Sequence, residues 1–398
     1  MMAVQRAQGM TSALPATVSG AFEVAIDSTG EAEWAELIQH FDDATVYQTW
    51  AYGAERWGEG HLSHIVLTKN GALRAAAQLR IVKLRFLNAG IAYLFRGPLW
   101  RVSGAPPDPE NFRQILRALR LHYGAKHGLV IRLLPNECDG QPDDCRAILE
   151  EEGFQHYPAA PPYRTFLLDL TPSLESLRNN LHRRWRRRLR LGESHAFEVV
   201  EGTGDELYLQ FKTLYQEMHH RKRFVRLVDV DEFRRMQQRL PDSLKLHLMI
   251  CKYQGEPVAA DVFSTIGATA IALFEATNRT ALALNGARFL KWRQIAWLKE
   301  RGVSTLDLGG IDRCRAAGPY GYKLGLAGKD AAEATHLGTF EYCGSPLSRH
   351  LVHLAENTLL RYRQWRFWQN RTAKQLRKWI CKAKLEKHSK NGRQKRPE

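Results

Sequence analysis

The strongest constraint on the fold is an internal repeat, in which the same order of strands and one helix occurs twice. In each half, three apolar strands precede a helix, and a glycine ends that helix before a fourth strand. The predicted strands are 64–68, 72–84, 91–95 and 129–134 around a helix from Pro109 to His127, and 244–251, 257–266, 269–276 and 304–308 around a helix from Gly286 to Arg301. The segments where the two helices end, GAKHGLVIRL and LKERGVSTLDL, are similar, and their glycines, Gly128 and Gly302, are separated by 174 residues. Helical stretches at about 31–57 and 204–240 precede the two copies. Two copies with similar junctions predict a duplicated α/β domain.

Length and hydropathy agree with two folded domains and argue against a membrane span. The chain has 398 residues, enough for two cores of ordinary size, and 44% of them are hydrophobic. No window holds 18 uncharged apolar residues, and the first 20 residues lack the sustained apolar run of a signal peptide. We therefore expect residues 1–20 to form a disordered tail and the protein to be cytoplasmic. The six cysteines are scattered without a CxxC pair, which predicts reduced thiols and no metal site.

Basic charge is concentrated in two segments. The formal net charge is +16, and residues 345–398 alone hold 15 Lys or Arg against three Glu. The segment LRNNLHRRWRRRLR (177–190) holds seven arginines and no acid, whereas the remainder is close to neutral. Charge gathered in this way indicates a polyanionic partner, either nucleic acid or a phospholipid surface.

Six sequence blocks accompany this order of elements. They are QTWAYGAERWG (48–58), YLFRGPLW (93–100), TFLLDLTPSLESLRNNLHRRWRRRLR (165–190), HRKRF (220–224), FLKWRQIAWLKERGVSTLDLGGI (289–311) and YGYKLGLAG (320–328). Helices followed by three antiparallel strands, a helix and a strand are the order of the GNAT acyltransferases, and the six blocks resemble those of the FemABX peptidyltransferases, which have two such domains. The last two blocks are the most specific, and the resemblance covers about residues 30–345.

This resemblance implies an α/β chain of two tandem GNAT-like acyltransferase domains with a basic C-terminal helical extension. The implied boundaries are 21–164 for the N-terminal domain, 165–345 for the C-terminal domain and 346–398 for the extension. The implied reaction forms a peptide bond without metal or cofactor, moving an amino acid from aminoacyl-tRNA to an amine of a cell-wall peptide precursor. Where the family has an acidic residue after the Arg-Gly-Pro element, this chain has Trp100-Arg101. The acceptor therefore stays open between a cell-wall precursor and a related peptide or nucleoside.

One lysine is the predicted catalytic residue. Because an aminoacyl ester is already activated, the enzyme must mainly align two substrates and stabilise an oxyanion. Lys323, in YGYKLG, occupies the family's aromatic-lysine position, so the resemblance implies that its ammonium meets developing negative charge. The alternative is a surface lysine that follows a glycine turn.

Five further residues are predicted to bind substrate. Arg56 stands where the family has a phosphate-contacting basic residue, and Arg221 matches the arginine of the family's Arg-x-x-Phe motif. A guanidinium suits a diphosphate because it offers two parallel hydrogen bonds. Phe274 stands where the family often has a substrate-lining tyrosine, and Tyr322 is expected to shape the acceptor channel. Asp307 ends a predicted strand, from which a carboxylate can point into a site. The competing interpretations are helix-surface arginines, core packing of the two aromatic residues and a turn-capping aspartate.

Two other functions remain open from the sequence. An acyl-CoA-dependent N-acyltransferase of the same fold would hold pyrophosphate on a glycine-rich turn at a helix N-terminus. The corresponding segment ALALNGARFL has Gly286-Ala287 but no complete motif, and the first-half turn SGAPPDPENF carries prolines without N–H groups. The second alternative is a noncatalytic protein that binds nucleic acid or a membrane surface through its basic segments.

The two basic segments are expected to act differently. Arg184, Arg187 and Arg188 lie where the family's chain crosses between domains, and we predict that they contact tRNA. In the extension, tryptophans alternate with Arg and Lys across 359–385, a pattern that suits either RNA or an anionic membrane. We expect 346–370 to dock on the second domain and the chain to be disordered after about Lys387.

Overall fold

The computed structural model describes residues 21–84, 89–158, 161–223 and 228–358. The predicted N-terminal tail, and the part of the extension from 359 onward with its tryptophans, lie outside these ranges. The strands are β1 (Phe22–Ile26), β2 (Leu62–Lys69), β3 (Ala72–Lys83), β4 (Gly90–Phe95), β5 (Val130–Leu134), β6 (Gln155–His156), β7 (Arg164–Asp169), β8 (Phe197–Gly202), β9 (His247–Tyr253), β10 (Glu256–Ser264), β11 (Thr269–Thr277), β12 (Thr305–Asp307), β13 (Glu333–Thr335) and β14 (Phe340–Cys343). The helices are α1 (Glu31–Leu37), α2 (Trp50–Trp57), α3 (Pro109–Leu119), α4 (Cys145–Glu151), α5 (Leu174–Asn180), α6 (Arg183–Glu193), α7 (Asp205–Lys222), α8 (Val230–Arg239), α9 (Arg279–Leu284), α10 (Gly286–Glu300), α11 (Ala317–Ala327) and α12 (346–358).

The duplicated domain is confirmed by two seven-stranded sheets of similar construction. Their strand orders are β1-β2-β3-β4-β5-β14-β6 and β13-β7-β12-β11-β10-β9-β8. In each sheet three consecutive antiparallel strands lead to a helix and then to a parallel neighbour, as β4–α3–β5 in the first and β11–α10–β12 in the second. A parallel neighbour requires such a crossover, which explains why the helix falls between these two strands in both copies. The structure therefore has the predicted α/β class.

The chain returns to the first sheet after it has built the second. Strand β14 lies within the predicted second domain (165–345), yet it pairs with β5 and β6 of the first sheet. The sequence analysis did not predict this return, because a four-residue strand carries little periodic signal. Helix α12, the described part of the extension, also packs on the first half, since Ser348 donates to the Gly128 carbonyl and Glu356 pairs with Arg132. The expected docking of 346–370 on the second domain is therefore wrong for 346–358. The boundaries at 164 and 345 stay predictions.

A shared core joins the two halves. Helices α1 and α2 of the first half and α7 and α8 of the second contribute to one apolar cluster, in which Trp34 and Phe41 are fully buried. Burial of each such side chain stabilises the fold by about 1.5–3 kcal/mol. At the rim, Arg239 forms a bidentate pair with Glu31 at 2.7 Å for both contacts. Each sheet also has one apolar cluster of its own, which lies between the sheet and its crossover helix.

Local sequence explains the crossover helix of the first half. Asp108 caps α3 by accepting from the Glu110 N–H at 3.0 Å, and Pro109 occupies the first turn, where its missing N–H costs nothing. The predicted helix to His127 is confirmed, although Arg120–Lys126 is a π-helix. Within the described ranges, no helix has both the length and the apolar character required to cross a membrane.

Candidate active site

The two repeats differ at their parallel strand pairs. In the first, β4 and β5 pair over five residues, and the Arg96 N–H extends the ladder by donating to the Leu134 carbonyl at 2.8 Å. In the second, β11 and β12 pair only from Thr269 to Ile271 on β11, although β11 runs on to Thr277. Among the described strands, none pairs with this side of β11 beyond Ile271. The second repeat thus has an opening between β11 and the loop after β12, where strand-edge N–H and C=O groups can meet an extended ligand.

Lys323 lies at this opening. Its Nζ donates to the Gly310 carbonyl at 3.0 Å, in the loop that follows β12. Gly309 has φ of +80°, and a Cβ there would lie 3.0 Å from the Ala272 carbonyl and 3.3 Å from the lysine Nζ. Only glycine fits this close approach, so the loop can run beside both β11 and the lysine.

The alternative in which Lys323 follows a glycine turn is wrong, because the residue lies inside α11. Glycines usually weaken a helix, but Gly325 lets α11 approach α6 closely. A Cβ at Gly325 would lie 3.1 Å from the Trp185 ring, and the His182 N–H donates to the Gly325 carbonyl at 3.1 Å. Tertiary packing thus makes this glycine-rich segment helical.

A buried ion cluster beside Lys323 was missed by the sequence analysis. Lys291 of α10 is 1% exposed, and its Nζ lies 2.9 Å from Asp261, 2.9 Å from Glu275 and 2.7 Å from the Gln294 side-chain oxygen. Asp261 and Glu275 stand directly opposite each other on β10 and β11. Like charges in such positions repel, so Lys291 is required between them. Its position at mid-helix after apolar residues gave no sequence signal of a buried charge.

The cluster leaves negative charge facing Lys323. One ammonium sits between two carboxylates, and the Glu275 side chain is 34% exposed toward the opening. Burial lowers the pKa of Lys323, while Glu275 raises it and Lys291 lowers it again. Burial would raise the pKa of Glu275, but Lys291 and Lys323 hold it below its usual value. The arrangement therefore keeps Glu275 ionised next to a lysine that is easier to deprotonate than usual.

Tyr322 and Asp307 flank the same region. The Tyr322 hydroxyl donates to the Ala287 carbonyl at 3.2 Å, and burial raises the pKa of this tyrosine well above its usual value. Asp307 is 6% exposed, accepts from Thr165 and, at 2.8 Å, from the Gly309 N–H. The aspartate therefore caps the turn after β12, while it also adds negative charge near Lys323. Both interpretations of Asp307, as turn cap and as part of the site, fit this position.

The other predicted substrate residues are engaged elsewhere. Arg56 pairs with Glu232 of α8 at 2.9 Å, and Arg221 donates to the Thr277 carbonyl at 2.6 Å. Phe274 packs against Phe211 and Phe233 in the shared core, with ring centroids 5.7 and 5.0 Å away. The structure thus gathers Lys323, Tyr322 and Asp307, whereas it does not bring the two arginines to one point. Their binding roles stay predictions.

The arginine run forms a fixed basic helix against α11, the helix that holds Lys323. In α6, Trp185 and Leu189 are buried, and the Trp185 ring lies 5.9 Å from Tyr322. Arg184 and Arg187 are exposed and Arg188 is partly exposed. None of the three forms an ion pair with a residue in the described ranges.

A further arginine extends this basic surface toward the opening. Arg288, in the first turn of α10, lies over the Tyr322 ring at 5.3 Å. Burial lowers its pKa, and the positive charges of Arg188 and Arg184 lower it further. The mutual repulsion of these guanidinium groups would be relieved by an anion among them. The sequence analysis missed Arg288 because its relation to α6 depends on packing.

Together these groups can bind a polyanionic ligand and stabilise negative charge at the opening. The ammonium of Lys323 can donate to an oxyanion, and the free edge of β11 can hold an acyl chain. In the described part of the chain, no three His, Cys, Asp or Glu side chains are arranged to hold a metal ion. The Lys323 ammonium and the strand edge are groups that can stabilise negative charge and align an acyl chain.

Comparison with known proteins agrees with this architecture. No curated protein sequence matches the chain, but a family model described as an acetyltransferase (GNAT) domain matches residues 175–324. The crystal structure of FemX is similar with a TM-score of 0.69 and 15% identity, over 83% of this chain and 99% of that chain. A protein of unknown function from Bacteroides thetaiotaomicron has a TM-score of 0.52 and 12% identity, over 81% and 99% of the two chains. The C-terminal domain (DUF2156) of a protein assigned as a lysylphosphatidylglycerol synthetase from Agrobacterium fabrum has a TM-score of 0.50 and 12% identity, over 81% and 95%. At these identities the likeness establishes the fold, which is the tandem GNAT-like fold of FemX.

Proposed function

We propose that this protein is an aminoacyltransferase that moves the amino acid of an aminoacyl-tRNA onto an amine of a cell-wall peptide precursor or a related peptide or nucleoside. The observation that carries the proposal is the packing of the basic helix α6 on α11, through Trp185 and Gly325. This contact fixes Arg184 and Arg188 beside the opening that holds Lys323. A donor that is both a polyanion and an activated ester suits such a combination.

The proposed reaction needs two substrates and one proton transfer. The neutral amine nitrogen of the acceptor attacks the ester carbonyl carbon, and a tetrahedral oxyanion forms. The Lys323 ammonium donates to that oxyanion, as it donates to the Gly310 carbonyl in the free protein. Collapse of the intermediate then breaks the ester bond. The ribose oxygen of the terminal nucleotide leaves as a hydroxyl group, so it gains one proton, and the amine nitrogen loses one proton.

The neighbouring groups would support each step. Glu275 would keep Lys323 protonated, since its carboxylate opposes the lowering of the lysine pKa by burial. The exposed arginines of α6 would hold phosphodiesters of the donor, and Arg288 would meet those nearest the ester. The roles of Tyr322 and Asp307 as channel residues rest on their position at the opening.

An acyl-CoA donor is the second candidate, favoured by the match of residues 175–324 to a GNAT acetyltransferase domain. At the start of α10, however, the Arg288 and Phe289 N–H groups both donate to the Asn285 carbonyl, at 3.0 and 3.2 Å. The Phe289 bond is the first bond of an ordinary helix, so only the Arg288 N–H is withdrawn from the terminal amides that could meet a pyrophosphate. The exposed arginines of α6 are the feature that favours the tRNA donor.

Transfer assays distinguish the donors. Purified full-length protein is incubated with radiolabelled aminoacyl-tRNAs and a panel of amine acceptors, with and without prior ribonuclease, and in parallel with acetyl-CoA. We expect label to enter the acceptor only from intact aminoacyl-tRNA. Transfer that survives ribonuclease treatment, or that needs only acetyl-CoA, contradicts the proposal.

A further inference from the structure

A second cavity lies on the first sheet, away from the Lys323 opening. It encloses about 500 Å³ between strands β3 and β4 and helix α12, a volume in the range of small-molecule sites. None of its lining residues belongs to the opening between β11 and β12. Its walls are mainly apolar, from Val82, Ile91 and Val352 among others. The aminoacyl-transfer proposal assigns no role to this cavity.

The strand register places a row of polar side chains along the cavity floor. Arg80 of β3 stands opposite Tyr93 of β4, which stands opposite Arg132 of β5, which in turn stands opposite Glu341 of β14. Directly paired residues project from the same face of a sheet, so these four side chains form one line. In the adjacent row Val82 stands opposite Ile91 on the same face. The floor is therefore polar in one row and apolar in the next.

In this polar row, the charge of Arg132 is paired with carboxylates, whereas the charge of Arg80 is not. Arg132 donates to Glu341 at 2.7 Å and also pairs with Glu356, the acidic residue of the lining. Arg80 makes no hydrogen bond or ion pair with any residue in the described ranges, and its buried Nε has no acceptor. The Tyr93 hydroxyl between them likewise has no hydrogen-bond partner there. The buried Arg80 Nε therefore lacks an acceptor, which a ligand in the cavity could supply, and the Tyr93 hydroxyl beside it could bind the same ligand.

The charges around Tyr93 fit an anion. Burial raises the pKa of Tyr93, and four positive groups act against it, from Arg132, Arg96, Arg56 and Arg80. Because Arg132 is already paired, Arg80 is the lining arginine that is free to bind a new negative group.

The mouth of the cavity is apolar and exposed. Leu84, which lines it, is 41% exposed at the end of β3. On α12, Leu351 lines the cavity, while Leu347 and Leu354 are 55% and 64% exposed at the helical spacing that places all three on one face. A continuous apolar path thus leads from the polar row to the surface, which suits a hydrocarbon chain.

We propose that this cavity binds an amphipathic anion, a hydrocarbon chain whose carboxylate or phosphate end meets Arg80 and the Tyr93 hydroxyl. The chain lies along Val82 and Ile91 and leaves past Leu84 and α12. Such a ligand satisfies both polar groups and covers the apolar wall at once. The proposal does not depend on aminoacyl transfer, because the two sites share no residue.

Binding of short amphiphiles tests it on the full-length protein. Decanoate and decyl phosphate, each below its micelle concentration, are titrated by calorimetry, with decanol and inorganic phosphate as probes that carry one half of the ligand. We expect at least one anionic amphiphile to bind more tightly than either half. The decanoate and decyl phosphate arms distinguish a carboxylate ligand from a phosphate ligand.

Two variants and one matched control locate the site. Arg80→Met keeps the apolar stem and should weaken the anionic amphiphile about tenfold or more while decanol binding is unchanged, since a charged hydrogen bond is lost. Ala355→Trp, on the exposed side of α12, should block the mouth and weaken every ligand with a chain. Arg74→Met, at the β-bulge of the same strand and outside the lining, should change nothing. If neither amphiphile binds, or if Arg80→Met and Ala355→Trp both bind like the wild type, the proposal is wrong.

Discussion

Replacing Lys323 by Met tests the proposed chemistry most directly. The substitution keeps a similar apolar stem and removes the ammonium that donates to the Gly310 carbonyl at 3.0 Å. In the fold, the loss is one hydrogen bond at a partly exposed carbonyl, a cost of about 0.5–1.5 kcal/mol. In the transition state, the loss is one charged donor to an oxyanion, which typically lowers turnover by roughly 10²–10³-fold, or about 3–4 kcal/mol. Turnover should therefore fall far more than stability.

The measurement is single-turnover transfer from saturating aminoacyl-tRNA, with urea unfolding on the same preparations. Lys329→Met is a matched control, because Lys329 lies just after α11 and its Nζ also donates to a backbone carbonyl, that of Asn179 at 3.2 Å. The control should keep wild-type turnover. Wild-type turnover in folded Lys323→Met would refute the catalytic role.

The pH dependence adds a second readout. If the ammonium is the active form, turnover falls as pH rises through the pKa of Lys323, which burial places below the usual value for lysine. Glu275→Gln removes a negative neighbour, so the pKa falls further and this alkaline limb moves to lower pH. Each unit of movement changes the ratio of neutral to protonated lysine tenfold. A limb that does not move in folded Glu275→Gln protein would show that Glu275 does not act on Lys323.

Other predictions concern the buried cluster and the basic segments. Lys291→Met leaves the buried Asp261 without its counter-ion and Glu275 with Lys323 alone, and should destabilise the fold by about 3–5 kcal/mol in urea unfolding. Burial already raises the pKa of Asp261 to about 6. A carboxyl whose pKa is raised by folding stabilises the fold less as pH rises, because it must then be ionised while buried. The stability lost on removing Lys291 should therefore be larger at pH 8 than at pH 5. A loss under about 1 kcal/mol at pH 8 would contradict the cluster's role. Reversing Arg184, Arg187 and Arg188 to Glu should lower transfer even at saturating donor, whereas deleting 371–398 should weaken donor or anionic-membrane binding mainly at low salt and leave turnover nearly unchanged. The division of labour fails if the deletion abolishes turnover or if the reversal has no effect.

The sequence by itself determined the fold class and the order of elements. Strand and helix periodicity are local, so each predicted strand of the two repeats is present within a few residues, and the glycines at 128 and 302 end their helices. The order of blocks identified the tandem GNAT-like fold that FemX shares. It also pointed to Lys323 and to the arginine run, because both are short contiguous motifs.

Only the tertiary structure decided which repeat has an opening and what surrounds it. The length of a parallel strand pair depends on residues far apart in sequence, so the closed β4–β5 pair and the short β11–β12 pair look alike in the sequence. The same reason hides the contact of Lys291 with Asp261 and Glu275, and that of Arg56 with Glu232 across 176 residues. The helix around Lys323 also depends on tertiary structure. The glycines of α11 disfavour a helix by themselves, and the packing of Trp185 against Gly325 stabilises it. Local patterns fix periodicity, whereas burial and charge pairing are set when distant segments meet.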